Sequence, residues 1–466
     1  MTLRRRDLLK LVGSSAGVLA AREALAAGPV MHRDVCILGG GSAGTYAAMR
    51  LRDAGRTVAI VERSSRLGGH AETFRDPNTG APIDIGVIIF PDNQLVRGYF
   101  GRFGVPLINL PAGGGGGRSS FVDFRSGSAV SAFDPTPAEL GAALGAYFQL
   151  VSGPFAFLAQ NGYQLPAHGP LLRQLTQPFG QFAQQNGLSA LLPLFYLYEQ
   201  GFGSLLDAPT LYVLKNLGPE VVGGILGSTF LAAPTGVGSL YDAATSVLGP
   251  DTIFDADVLR VVRPGRGPVI LVASTPDGPR VVECGKLLIT APPLLSNLRN
   301  LDLDGLEWSL LSRFDPHFYY TAVLKTSGLA PDLSLVNAAP DTPFNLGPLP
   351  GIYSISPSPV PGLTNVKYGS SRWLSDATVR AAIRADIERV NIGGVGPIHV
   401  DDFAIFKSHS PYALMASPSD IRRGFYASLE QLQGRRSTYY ASATFQTHSS
   451  AAIWAYVEGL LPDLAA

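Results

Sequence analysis

The spacing of hydrophobic positions changes several times along the chain, and each change marks an element. Asp34-Val35-Cys36-Ile37-Leu38 is apolar without alternation, the pattern of a short strand buried on both faces of a parallel sheet. Glycines follow, and from Thr45 to Ala54 the apolar residues fall at helical spacing. Ala47, Ala48 and Leu51 share one face there, and Gly55 stands where the helix should close. Thr57-Val58-Ala59-Ile60-Val61 is a second buried strand, ending at Glu62. Gly236-Val237-Gly238-Ser239-Leu240 opens a helix to Leu248, Val258 to Arg263 alternates as a strand, and Asp277-Gly278 is a hairpin signal. Lys286-Leu287-Leu288-Ile289-Thr290-Ala291 is another buried strand, stopped by Pro292-Pro293. The chain ends on the strand-like Thr438-Tyr439-Tyr440-Ala441-Ser442-Ala443 and a helix from Ser449 to Leu461, with Ile453, Val457, Leu460 and Leu461 as its apolar stripe.

Two long stretches separate these pieces. Residues 101–235 read as mostly helical, with Gly113 to Gly117 a flexible connection, because no strand–helix context surrounds them. Residues 301–424 read as richer in strands, with runs such as His317-Phe318-Tyr319-Tyr320-Thr321-Ala322-Val323. Leu194-Phe195-Tyr196-Leu197-Tyr198 and Phe202 add aromatic density, and together these stretches predict an apolar pocket. One α/β domain is therefore expected in three parts, 32–100, 236–300 and 425–466, with the two insertions forming an α+β substrate domain.

The first glycines carry specific chemistry. Gly39-Gly40-Gly41-Ser42-Ala43-Gly44 fits G-x-G-x-x-G at Gly39, Gly41 and Gly44. Gly39 permits the strand-to-helix turn, Gly41 lets backbone approach a pyrophosphate, and Gly44 lets helix and strand pack closely. The helix then offers the free N–H groups of Ser42 and Ala43 to phosphate. Glu62 lies 18 residues beyond Gly44, where its carboxylate can bind ribose hydroxyls. Strand, loop, helix, strand and acid in register predict a bound dinucleotide.

Composition narrows the rest. At 466 residues and 46% hydrophobic, the chain can bury the cores of two joined domains. Lysine plus arginine equal aspartate plus glutamate at 36 each, without the basic excess of a nucleic-acid binder. No apolar run reaches the roughly 20 residues a membrane-spanning helix needs. Cys36 and Cys284 supply no metal-ligand set, and Cys36 reads as a small buried hydrophobe rather than half of a bridge. Residues 1–27 are set apart by Arg4-Arg5-Arg6, a mildly apolar stretch from Leu8 to Ala20, and Ala24-Leu25-Ala26. Arg5-Arg6-Asp7-Leu8-Leu9-Lys10 resembles a twin-arginine signal, departing from it at Arg4 and Leu8. That resemblance implies export of the folded protein by the twin-arginine translocase, to a periplasmic or extracellular location.

Arg63-Ser64-Ser65-Arg66-Leu67-Gly68-Gly69-His70 resembles the R-x-G-G-[RKH] segment of the flavin amine oxidases, which NAD-binding Rossmann domains lack. The resemblance implies FAD in a glutathione-reductase-type Rossmann-like domain. Arg66 is then a pyrophosphate partner with Arg63 beside it, Gly68 and Gly69 allow close approach, and His70 lies toward the flavin. Ile83-Asp84-Ile85-Gly86 is similar to the strand whose glycine approaches the isoalloxazine. By the same resemblance Val261 meets the adenine end through its backbone. Tyr439 and Tyr440 lie near the flavin, and the helix from Ser449 faces the N1/C2 edge. Gly39–Ala48, Leu67–Thr73, Pro82–Phe90, Pro209–Lys215 and Ile453-Trp454 are most similar to the branch containing β-cyclopiazonate dehydrogenase and polyenoic fatty acid isomerase.

The implied chemistry is hydride removal from an apolar amine- or indole-like molecule to flavin N5, with oxygen or a quinone as acceptor. Flavin-dependent isomerisation of an unsaturated fatty acid and flavin binding without turnover are the alternatives. FAD is expected to be non-covalent, since neither cysteine falls in the C-terminal block. Many amine oxidases carry a lysine soon after the Pro-Pro strand, but between Leu294 and Asp304 this chain has only Arg299. No residue is assigned as the catalytic base.

Overall fold

The computed structural model describes residues 30–110, 117–393 and 395–466. The signal-like segment 1–27 and most of the glycine run, 113–116, lie outside the described residues. The first strand, Val30–Leu38, sits between Val58–Val61 and the return strand Gly278–Ile289, parallel to both. Thr252–Ile253 extends the sheet beyond Val58–Val61. The return strand changes partners along its length. Its first half pairs antiparallel with Val269–Thr275, which in turn pairs with Asp257–Val262, and its last residues pair parallel with Thr438–Tyr440. The turn at Asp277 joins the two longest members of this meander, as its hairpin signal implied.

Buried-on-both-faces sequence is what such a sheet requires. Val35, Cys36 and Ile37 are fully buried, and so are Ala59, Ile60, Leu287 and Leu288. The helix Ser42–Asp53 and the last helix, Ser450–Ala465, pack together over one face, where Trp454 donates its indole N–H to Ser42 Oγ at 2.9 Å. The last helix runs four residues past Leu461, through Pro462 to Ala465. Cys36 and Cys284 stand as free thiols, both buried and in hydrogen-bond contact.

A second sheet is built from the insertions, in the order His399–Ser408, Phe318–Ser327, Leu363–Ser370, Gly351–Pro357, Leu333–Asn337, Arg118–Asp123 and Ser128–Ala129. The stretch 101–235 is therefore not only helical. Arg118–Asp123 pairs parallel with Leu333–Asn337, a partner more than 200 residues away that local periodicity cannot announce.

The alternation of side chains gives this sheet two different faces. Tyr320, Ala322, Leu324, Val366 and Tyr368 pack under the helix Asp376–Glu388. Val323, Leu363 and Ile405 on the other face meet Ile83 and Ile85 of the first domain. The second face thus roofs the FAD-type domain, and Tyr319, Thr321, Lys367 and Lys407 belong to it by register.

Candidate active site

The glycine loop is shaped by what a side chain would strike. Gly39 has φ of +107°, and a Cβ there would lie 2.8 Å from Thr290 Oγ1. A Cβ on Gly44 would lie 2.0 Å from the Gly39 carbonyl oxygen, so the close helix–strand approach demands glycine. Gly41 differs, since its nearest neighbour, the Gly69 Cα, is 3.9 Å away. Gly41 caps the helix without a side-chain acceptor, and the first turn holds no acid. Its free N–H groups, Ala43 among them, are the donors a phosphate would need.

Glu62 is buried at the end of its strand. Its carboxylate accepts the Gly40 N–H at 2.6 Å and the Ser64 N–H at 2.8 Å, which fixes its rotamer beside the glycine loop and leaves lone pairs for ribose hydroxyls. Phe254 to Ala256 complete this end, for the Ala256 N–H donates to the Glu62 carbonyl at 3.0 Å.

Other sequence-derived residues fall in different places. Val261 is fully buried and its N–H donates to the Asn300 carbonyl at 2.9 Å, so its backbone donor is already engaged. Arg63 is exposed. Arg66 folds back on its own loop, donating to the Gly69 carbonyl and to Glu72, both at 2.7 Å, and so holds the Gly68-Gly69 turn in shape. Tyr440 is buried with its hydroxyl donated to Glu307 at 2.9 Å, beside Arg263, and Tyr439 is half-buried near Gly434. The β-alternation that sends Tyr440 into this ion cluster turns it into the core. Ser449 caps the last helix through the Ala452 N–H, and Ser442, earlier in the chain, has a buried Oγ with no partner.

His70 is where the domains meet. It is exposed at the seam between the two sheets, with its ring against His409 of the roof strand. A Cβ on Gly86 would fall 1.6 Å from the His70 carbonyl oxygen and 3.1 Å from the His409 ring, so only glycine lets the three segments close together. The His70 ring lies 4.7 Å from His409 and 5.9 Å from Tyr412. Tyr412 packs 4.2 Å from His448 and 5.0 Å from Tyr319, and Phe202 closes on His448 at 5.0 Å. Burial, helped by Arg63 and Arg66, brings the His70 imidazole down to about 4, and burial brings His448 to about 3. Burial also holds His409 well below its ordinary value. Three uncharged imidazoles among tyrosines and a phenylalanine make an apolar chamber with hydrogen-bonding edges.

Behind Phe202, Glu199 is 2% exposed, with one oxygen on Asn216 at 2.8 Å and the other without a partner. Burial raises its carboxyl to about 8. Asn216 also accepts from Thr447, beside His448. Sequence reading missed His409, Tyr412, His448, Glu199 and Lys367. Each stands alone in its local pattern, and His409, Tyr412 and His448 meet His70 only through long-range packing.

The uncapped helix start, the glycine cradle and the ribose-ready carboxylate fit FAD, and define a dinucleotide-binding flavoprotein. A model of the NAD(P)-binding Rossmann-like domain matches residues 37–103. An FAD-dependent oxidoreductase of Colletotrichum higginsianum is 34% identical, the match covering 98% of each chain. β-Cyclopiazonate dehydrogenase of Aspergillus oryzae is 31% identical, covering 97% of each. The chain belongs to this family of FAD-dependent oxidoreductases. The fold is shared with a fatty acid isomerase from P. acnes that produces CLA (TM-score 0.74, 20% identity, 92% of this chain and 98% of that one). It is also shared with cyclohexylamine oxidase from Brevibacterium oxydans (TM-score 0.64, 17% identity, 93% and 100%).

Proposed function

We propose that the enzyme removes a hydride, with loss of a proton, from an apolar amine- or indole-like molecule held against His70, and passes the electrons to oxygen or a quinone. The chamber of three neutral histidines with Tyr412, Tyr319 and Phe202, between the glycine loop and the roof sheet, carries this reading. Non-covalently bound FAD supplies the two-electron acceptor. Glu62 and the Gly39–Gly44 loop hold its adenosine and pyrophosphate, and Gly69, His70 and Gly86 bring backbone to the flavin end. The helix from Ser449 presents its N-terminus, which favours negative charge there. Phe202 and the tyrosines exclude water and orient an apolar substrate, while the uncharged imidazoles offer it hydrogen-bonding edges.

Anaerobic addition of substrate should abolish the flavin absorbance, with colour returning only on addition of an acceptor. Double-bond migration under strict anaerobiosis, with the flavin oxidised throughout, would replace this reading with the isomerase one. We also propose export by the twin-arginine route, on the strength of Arg5-Arg6 and Ala24-Leu25-Ala26. Changing Arg5 and Arg6 together to lysine should leave the protein in the cytoplasm, and unchanged export would refute that assignment.

A further inference from the structure

Lys367 lies on the roof face, directly opposite Thr321, whose hydroxyl is 3.3 Å from His409 Nε2. Buried cations are normally paired or fully hydrogen-bonded. Lys407, two strands away, meets Glu72 at 2.9 Å, and Lys215 donates to three carbonyls at 2.6 to 2.9 Å. Among the described residues nothing within hydrogen-bond or ion-pair reach does the same for Lys367. Asp84 is near enough to feel its charge, but its carboxylate accepts from the Thr73 hydroxyl and from the Val237 N–H at 3.0 Å. Lys367 is only half-buried, so its side chain is not sealed into the core of the sheet. Thr321, its cross-strand neighbour, meets His409, and His409 packs on His70, so Lys367 stands at the edge of the histidine chamber.

We propose that Lys367 anchors an acidic group of the substrate, a carboxylate or an enol-type oxyanion, at the roof of the chamber. The proposal rests on reading the chamber as the substrate site. The oxidised part of the molecule then lies toward His70 and Gly86, and the acidic group toward the roof sheet. The phosphates of FAD are accounted for elsewhere, at the Gly39–Gly44 loop, so they do not satisfy this ammonium. None of its other ionisable neighbours pairs with it: Asp84 acts on it only from beyond ion-pair distance, Glu72 is shared by Arg66 and Lys407, and burial disfavours the charged forms of His70 and His409.

The test uses the FAD-loaded enzyme with two probes of similar shape, indole-3-acetate and indole-3-acetamide, and reads binding from perturbation of the flavin spectrum. The wild type should prefer the acetate by about tenfold or more, as a buried charge-assisted contact provides. Lys367→Met should erase the preference by weakening the acetate alone, and Lys367→Arg should retain it. Burial lowers the Lys367 ammonium to about 8, so acetate binding should weaken as pH rises through that value, and not in Lys367→Met. Equal binding of the two probes, failure of both to bind, or an equal loss of both in Lys367→Met would overturn the assignment. So would an effect of Lys367→Met confined to flavin reoxidation by oxygen. Anaerobic flavin reduction by substrate separates the two readings. If it proceeds while the probes are not distinguished, only the Lys367 assignment falls; if it fails, the reading of the chamber falls.

Discussion

Arg263→Met should destabilise the protein through the cluster that holds Tyr440. Arg263 is fully buried and grips Glu307 with both terminal nitrogens, at 2.6 and 3.0 Å, while its Nε meets Asp302 at 2.9 Å. Removing the guanidinium leaves Glu307, 1% exposed, as a buried carboxylate. Breaking such a pair from one side costs about 3–5 kcal/mol. Arg436, 3.6 Å from Glu307, and the Tyr440 hydroxyl compensate in part, so the low end, about 3 kcal/mol, applies here. At about 2.1 cal/mol/K of unfolding entropy per residue, a chain this long loses roughly 1 °C of Tm per kcal/mol. Calorimetry of the FAD-loaded protein should therefore show Tm lowered by about 3 °C. Arg263→Met with Glu307→Leu should recover at least half of that, because the orphaned charge is gone. Tyr440→Phe should lower Tm by about 1–3 °C, through its hydrogen bond to a charged group, and leave the flavin reduction rate unchanged. A wild-type Tm for Arg263→Met, or slowed reduction at unchanged Tm for Tyr440→Phe, would refute the structural assignment of the cluster.

Glu62→Lys should abolish FAD binding, since a cation cannot accept ribose hydrogen bonds; normal flavin content after gel filtration would remove Glu62 from the site. Glu199 titrates at about 8 in the fold, above its ordinary value of 4.5, so the folded state holds a proton the unfolded chain releases. Its contribution is full below the ordinary value and is lost as pH rises through the folded one. Glu199→Gln should accordingly match the wild-type Tm near about pH 5 and exceed it near about pH 9, and the reverse order would contradict the burial argument.

The first domain was legible because its information is local. Val35 to Glu62 contains strand, loop, helix, strand and acid in a single run, and each residue's environment follows from its neighbours. The order of the C-terminal pieces was legible for the same reason, through Asp277-Gly278 and the strand stopping at Pro292. The chamber was not. His409 and His448 reach His70 from segments hundreds of residues away, and Lys367 faces the space only because its strand pairs with Phe318–Ser327 in one register. Tyr440 is a different case. Its place in the last strand suggested proximity to the flavin, but the alternation of that strand turns its side chain toward Glu307.

A crystal structure of the protein purified with its own cofactor tests the central claim most directly. The account predicts non-covalent FAD with its adenosine at Glu62, its pyrophosphate at the start of the Ser42–Asp53 helix, and its ring system among Gly86, His70 and His448. Density placing the flavin elsewhere, or a chamber closed on its own histidines with no flavin bound, would contradict it.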